Sequence, residues 1–89
     1  MDERIFTQKA KEEVAKCVNE HLDKTDDVKP LTPEDVYMVW GVKVLQNNKG
    51  LFATLLPDGM YYEITFNGDK NEMYIDAYKK FENRCILVD

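Results

Sequence analysis

Residues 36–78 read VYMVWGVKVLQNNKGLFATLLPDGMYYEITFNGDKNEMYIDAY, and apolar runs of strand length alternate there with turn-forming residues. Asn, Gly, Asp and Pro cluster at residues 47–50, 57–59 and 67–70. Asn and Gly tolerate a positive φ, and Pro presets the φ of a turn, so each cluster predicts a tight connection between two strands. The pattern therefore predicts an antiparallel meander of four strands.

The predicted strands lie at about 37–46, 51–56, 60–66 and 72–78. Simple alternation puts Met38, Trp40, Val42 and Val44 on one face of the first strand. The last segment also fits a helix face through Tyr74, Tyr78 and Phe81, but the turn before it favours a strand. A short helical turn is expected at residues 79–83, followed by an apolar tail.

An amphipathic helix is predicted over residues 3–24, because apolar side chains recur there at three- and four-residue steps. Asp2 is the expected N-cap. Thr32, followed by Pro33, predicts a single helical or 3₁₀ turn before the first strand. Together these elements predict one α+β domain over residues 1–89, in which the N-terminal helix packs on the four-stranded antiparallel sheet.

The charge and the hydropathy of the chain argue against two classes of partner. Seventeen acidic and twelve basic residues give a net charge of −5. Nucleic-acid binding depends on basic clusters that neutralise phosphates, so no nucleic-acid partner is expected. No apolar run reaches the ~18 residues that a membrane span needs. The charged start of the chain lacks the pattern of a signal peptide, so a cytoplasmic location without membrane contact is predicted.

Four sets of residues are candidates for chemistry, and none predicts an enzyme. Cys17 lies one helical turn before His21, but no third group orients the imidazole. Glu63 and Asp76 can face each other across two strands, but on an open face without a pocket. The two cysteines and one histidine lack zinc-ligand spacing, and the acidic connector matches no calcium loop. We therefore expect no catalytic residue, cofactor or metal.

The aromatic residues of the strands are the candidate site. Rigid aromatic side chains on an exposed sheet face favour protein interfaces, although cross-strand packing within the sheet explains them equally well. The second strand is apolar on both faces, and one helix covers only one side of a sheet. The predicted interface residues are Tyr37, Phe52, Tyr61, Tyr74 and Tyr78.

Several ordered strings carry a resemblance over most of the chain: DVYMVW at 35–40, LQN at 45–47, DGMYYE at 58–63, NGDK at 67–70 and DAYKK at 76–80. With the AKEEV helix and HLDK at 21–24, they resemble a family of small uncharacterised proteins encoded by phages and prophages of Gram-positive bacteria. The resemblance implies an accessory phage product in the host bacterial cytoplasm. It transfers no activity and no functional residue.

Two functions follow as expectations. The first is a non-enzymatic binding module that docks on a host or phage protein and modulates that protein's activity. The alternative is a homo-oligomeric structural or scaffolding protein of phage origin, in which identical sheets pair through the apolar face.

Overall fold

The computed structural model describes residues 1–22 and 29–88, and these form one helix and one sheet. The elements are α1 (Glu3–His21), a 3₁₀ turn (Pro33–Asp35), β1 (Val36–Val44), β2 (Asn47–Thr54), β3 (Met60–Asn67) and β4 (Glu72–Lys79). All strands are antiparallel, in the order β1-β2-β3-β4. The predicted α+β class and the four-stranded meander are confirmed.

Helix α1 begins as its sequence predicts. The Asp2 carboxylate accepts a hydrogen bond from the backbone N–H of Arg4 at 2.7 Å, which caps the first turn. Phe6, Ala10, Val14 and Val18 are buried at helical spacing and face the sheet. α1, the one long helix of the described residues, does not combine the length and the apolarity that crossing a membrane needs.

The core lies between α1 and one face of the sheet, which we call the inner face. Phe52 and Ile64 are fully buried at its centre, with Tyr62 and Phe66 beside them. The ring centroids of Phe6 and Phe52 lie 6.3 Å apart in a tilted arrangement. α1 packs over β1, β2 and β3, so the inner side of β4 stays partly exposed.

The segment before β1 is fastened to α1 by one amide side chain that the sequence did not single out. The Asn19 amide donates to the Leu31 carbonyl oxygen at 2.9 Å, and its oxygen accepts from the Leu31 N–H at 2.7 Å. The chain then enters the predicted 3₁₀ turn, where the Asp35 carboxylate accepts from the Thr32 N–H at 2.8 Å. The prediction extends the helix to residue 24, whereas α1 ends at His21, because Leu22 already has extended backbone angles. Residues 23–28 lie outside the described part of the chain.

Asn19→Ala is expected to lower the free energy of unfolding by about 1–3 kcal/mol, because both Leu31 backbone groups lose a partner in a partly buried place. Asn19→Asp is the comparison, since it keeps an acceptor for the Leu31 N–H but sets a carboxylate oxygen against the Leu31 carbonyl oxygen, so it should also be less stable than the wild type. Urea unfolding of the three proteins measures the effect. Equal stability of wild type and Asn19→Ala would contradict this role of Asn19.

The first hairpin turns earlier than predicted. Residues 47–50 were expected to form the turn, but they belong to β2, and the connection is Leu45 and Gln46, with Leu45 at φ 55°. Gly50 does not form a turn but allows the Phe52 ring and the β1 backbone to pack closely against it. A Cβ there would lie 2.9 Å from the Phe52 ring and 3.3 Å from the Trp40 carbonyl oxygen.

A β-bulge in β1 overturns the predicted facing of that strand. Met38 pairs with Phe52, Trp40 pairs with Leu51, and Val39 between them has no partner in β2. The extra residue shifts the alternation by one position. Met38 therefore lies on the inner face, whereas Trp40, Val42 and Val44 lie on the opposite face, so the prediction that these four side chains share a face is wrong.

The end of the chain differs from prediction in one respect. Residues 72–78 form a strand, as favoured, and every residue of β4 pairs with β3. The expected helical turn at 79–83 is not found, because β4 continues to Lys79 and residues 80–88 form neither helix nor strand. The backbone N–H of Lys80 still donates to the Gly59 carbonyl oxygen at 2.8 Å, so the chain leaves in the direction of β4.

Candidate functional site: the outer face of the sheet

The side of the sheet opposite α1, here called the outer face, is covered by no other described element. Strand alternation, the bulge and the pairing registers determine which side chains lie on it. They are Tyr37, Trp40, Val42, Val44, Asn47, Lys49, Leu51, Ala53, Tyr61, Glu63, Thr65, Asn67, Glu72, Tyr74, Asp76 and Tyr78.

The β1 half of the outer face is apolar. Trp40 is 45% exposed, Val42 51% and Val44 59%, and they stand in one row along the strand. Leu51 lies directly across from Trp40 in β2. Singly exposed apolar side chains are ordinary, but a contiguous group that includes a tryptophan is typical of an interaction surface. Sequence reasoning missed Trp40 because it ignored the bulge.

The four predicted tyrosines all lie on the outer face. Tyr61 is directly opposite Tyr78, and Tyr74 is opposite Thr65 in the same β3–β4 pair. Tyr37 stands opposite Ala53 at the other edge. Tyr37, Tyr74 and Tyr78 are about half exposed, whereas Tyr61 is more covered. The Tyr61–Tyr78 pair also stabilises the sheet, so cross-strand packing and an exposed aromatic surface coexist here.

Phe52, the fifth predicted interface residue, lies on the inner face and is fully buried against Phe6. Both neighbours in β2, Leu51 and Ala53, take the outer positions. The apolar run of β2 gave no sign of which alternate residues point outward. Phe52 is therefore a core residue and is left out of the interface.

The charged groups of the outer face form a small cluster at its centre. Glu63 is directly opposite Asp76, as predicted, and the Lys49 ammonium lies 3.3 Å from the Glu63 carboxylate. Both carboxylates stand on an open sheet surface, and Lys49 offsets the like-charge contact between them. Beside them the Tyr74 hydroxyl donates to the Glu72 carboxylate, which raises the pKa of Tyr74.

Cys17 and His21 line a groove at the C-terminal end of α1, together with Tyr62. Burial, and then the nearby Glu20 carboxylate, raise the pKa of the Cys17 thiol, which disfavours the thiolate that nucleophilic chemistry needs. His21 Nδ1 donates to the Cys17 carbonyl oxygen at 2.8 Å instead of contacting the sulfur. The two side chains are neighbours without being arranged as a nucleophile and its base.

Asn48 is a buried polar residue that the sequence had placed in a turn. Its Oδ1 atom accepts no hydrogen bond from the described residues, and the side chain lines a cleft with Phe6, Met38 and Gly41. This cleft lies on the inner side, under the first turns of α1.

The described residues contain no group of three or more His, Cys, Asp or Glu side chains able to hold a metal ion. Asp23, Asp26 and Asp27 of the acidic connector lie outside them.

Comparison with known proteins gives a family and no function. No curated protein and no solved structure matches the chain. A family model described as a family of unknown function, DUF6275, matches residues 7–88, which include most of α1 and all four strands. The chain therefore belongs to the DUF6275 family.

Proposed function

We propose that this protein is a non-enzymatic binding module whose outer face docks on another protein and modulates that protein's activity. The observation that carries the proposal is the row of Trp40, Val42 and Val44, half exposed beside four tyrosines on one uncovered sheet face. Trp and Tyr are the residues most enriched at the energetic centres of protein interfaces. The Lys49–Glu63–Asp76 cluster supplies polar contacts that orient a partner.

The resemblance to phage and prophage proteins supplies the setting of the proposal. We propose an accessory product of a phage or prophage of Gram-positive bacteria, acting in the host cytoplasm on a host or phage protein. The alternative, a homo-oligomeric structural protein of phage origin, uses the same apolar face but fills it with a second copy.

Site-directed photo-cross-linking in cells tests the proposal. A photoreactive phenylalanine analogue at Tyr74 probes the outer face, and the same analogue at Ile5, which is 60% exposed on α1, is the matched control. We expect an adduct to a discrete protein from position 74 and none from position 5. Adducts of equal yield from both positions, or none from either, would argue against an outer-face interface. An adduct of twice the chain mass that Trp40→Ser abolishes would favour the homo-oligomer that pairs through the apolar face.

Trp40→Ser is expected to reduce the Tyr74 adduct at least tenfold, since an interface tryptophan typically contributes 2 kcal/mol or more. Ile5→Ser removes an apolar side chain of similar exposure from the helix and is expected to leave the yield unchanged. The adducts are quantified by mass spectrometry, with thermal melting to show that both variants fold. An unchanged yield with Trp40→Ser would contradict the assignment of Trp40 to the interface.

A further inference from the structure

β4 forms one edge of the sheet, and alternate backbone groups along it point away from β3. The Lys80 N–H donates to the Gly59 carbonyl oxygen, so the even-numbered residues of β4 bond to β3. The odd-numbered residues, from Met73 to Lys79, then direct their N–H and C=O groups outward. An edge of this kind is a template for another strand.

The two edges of the sheet differ. β1, the other edge strand, is interrupted by the bulge at Val39, a device that blunts an edge against further pairing. β4 carries no bulge and no proline over its eight residues. β4 is therefore the edge better suited to accept a strand.

Residues 80–88 continue the alternation of side chains seen in β4, but their large apolar side chains are exposed. Phe81 is 98% exposed and Leu87 is 93% exposed. Odd-numbered positions stay apolar along most of the segment, as in a strand with one buried face: Met73, Ile75, Ala77, Phe81, Cys85 and Leu87. The segment from residue 72 onward thus reads as one long strand, of which a single copy pairs only the first half.

We propose that a second copy of this chain pairs with the β4 edge. Residues 72–84 of the two copies run antiparallel across a two-fold axis at Tyr78. The two four-stranded sheets are thereby joined into a single sheet of eight strands. In this register Asp76 lies opposite Lys80 of the second copy, and Glu72 lies opposite Arg84 of the second copy. Ile75, which is 38% exposed, lies opposite Phe81 of the second copy on the inner face.

Charge selects this register over its neighbours. An axis at Ala77 would set Glu82 of one copy opposite Glu72 of the other. An axis at Lys79 would set Glu82 opposite Asp76. Centring it on Lys80 would set the two lysines against each other. Like charges directly opposite destabilise a strand pair, whereas the register at Tyr78 gives each β4 carboxylate a basic partner.

Because the two-fold axis is normal to the sheet, the inner faces of both copies lie on one side of the joined sheet and the outer faces on the other. Both copies of α1 then lie on the inner side, and the two outer faces adjoin as one surface. This self-association is separate from the proposed function, because it uses the strand edge and leaves Trp40 uncovered.

Light scattering on a size-exclusion column tests the pairing with the full chain. We expect about 20.8 kDa, twice the chain mass of 10.4 kDa. Asp76→Lys and Lys80→Glu are each expected to weaken dimerisation about tenfold, and the two changes together to restore it, because the charges are exchanged. Lys16→Glu, an equal charge change on the exposed side of α1, is the control and leaves the mass unchanged. A 10.4 kDa species at every concentration, or a double variant no better than the single ones, would overturn the proposal.

Disulfide trapping tests the register. In a Cys17→Ser, Cys85→Ser background, Tyr78→Cys places two thiols side chain to side chain at the axis, and mild oxidation should link the copies. Phe81→Cys is the matched control, because residues 81 of the two copies lie about 20 Å apart in this register. Preferential linkage through position 81, or linkage through neither, would overturn the register. Neither result would bear on the outer-face partner, which the Trp40 variant tests separately.

Discussion

Phe52→Ala is expected to lower the free energy of unfolding by about 3–5 kcal/mol. Phe52 is fully buried at the centre of β2, and its ring packs on Phe6 of α1. Truncation leaves a cavity between helix and sheet, where neighbouring side chains on rigid strands cannot collapse fully. In a domain of this size the melting temperature should fall by at least about 12 °C.

The measurement is urea unfolding at one fixed protein concentration, so that any self-association stays constant. Leu55→Ala is the control, because Leu55 is a large apolar side chain that is 72% exposed just after β2. Its free energy of unfolding should change by no more than about 0.5 kcal/mol. If Phe52→Ala were as mild as Leu55→Ala, Phe52 would not be part of the core.

Gly68→Ala is expected to destabilise the fold by about 1–3 kcal/mol, because the turn after β3 packs directly on the turn after β1. A Cβ at residue 68 would overlap the Gln46 carbonyl oxygen and lie 2.6 Å from the Gln46 Cβ. The Gly68 N–H also donates to the Asn47 Oδ1 atom at 3.0 Å, which holds the two turns together. The added methyl group has to push these turns apart and break that bond.

Gly59→Asn is the contrast for Gly68→Ala. Gly59 has φ +70°, but a Cβ there meets nothing within 4 Å. Asn tolerates the left-handed region, so this change should cost no more than about 1 kcal/mol. Thermal melting ranks the two variants. A Gly59 variant less stable than the Gly68 variant would contradict the view that contact between the turns, not backbone conformation, makes Gly68 necessary.

The sequence predicted α1, the 3₁₀ turn and the strand order, because each rests on one strong local signal. Asp2 as an N-cap and the helical spacing of Phe6, Ala10 and Val14 all indicate a helix. In β3, Tyr62, Ile64 and Phe66 alternate with polar residues, so the register follows from the pattern. The fourth strand followed from the turn before it.

The remaining differences arise where one residue type serves two physical roles. Gly50 is a good turn residue, but it also lets Trp40 and the Phe52 ring approach closely, and the second role prevails. Val39 and Trp40 are both strand formers, so nothing local marks the bulge between them. For the candidate site, the outward facing of Tyr61, Tyr74 and Tyr78 was predictable because simple alternation holds in β3 and β4, and that of Tyr37 because it precedes the bulge in β1. Trp40 was missed because nothing in the sequence marks the bulge in β1. Phe52 was misplaced because β2 is apolar on both faces and does not reveal its facing.

The bulge in β1 also determines where the length of this chain can change. Val39 is the residue of β1 without a partner in β2. Without Val39, β1 would be a regular strand, and Trp40, Val42 and Val44 would still lie on the outer face. A one-residue deletion nearer the hairpin, at Lys43 for instance, would turn every side chain between it and the bulge to the opposite side or shift the hairpin register. A one-residue deletion in β1 is therefore best tolerated at the bulge, because the strand already has one residue there more than the ladder with β2 needs.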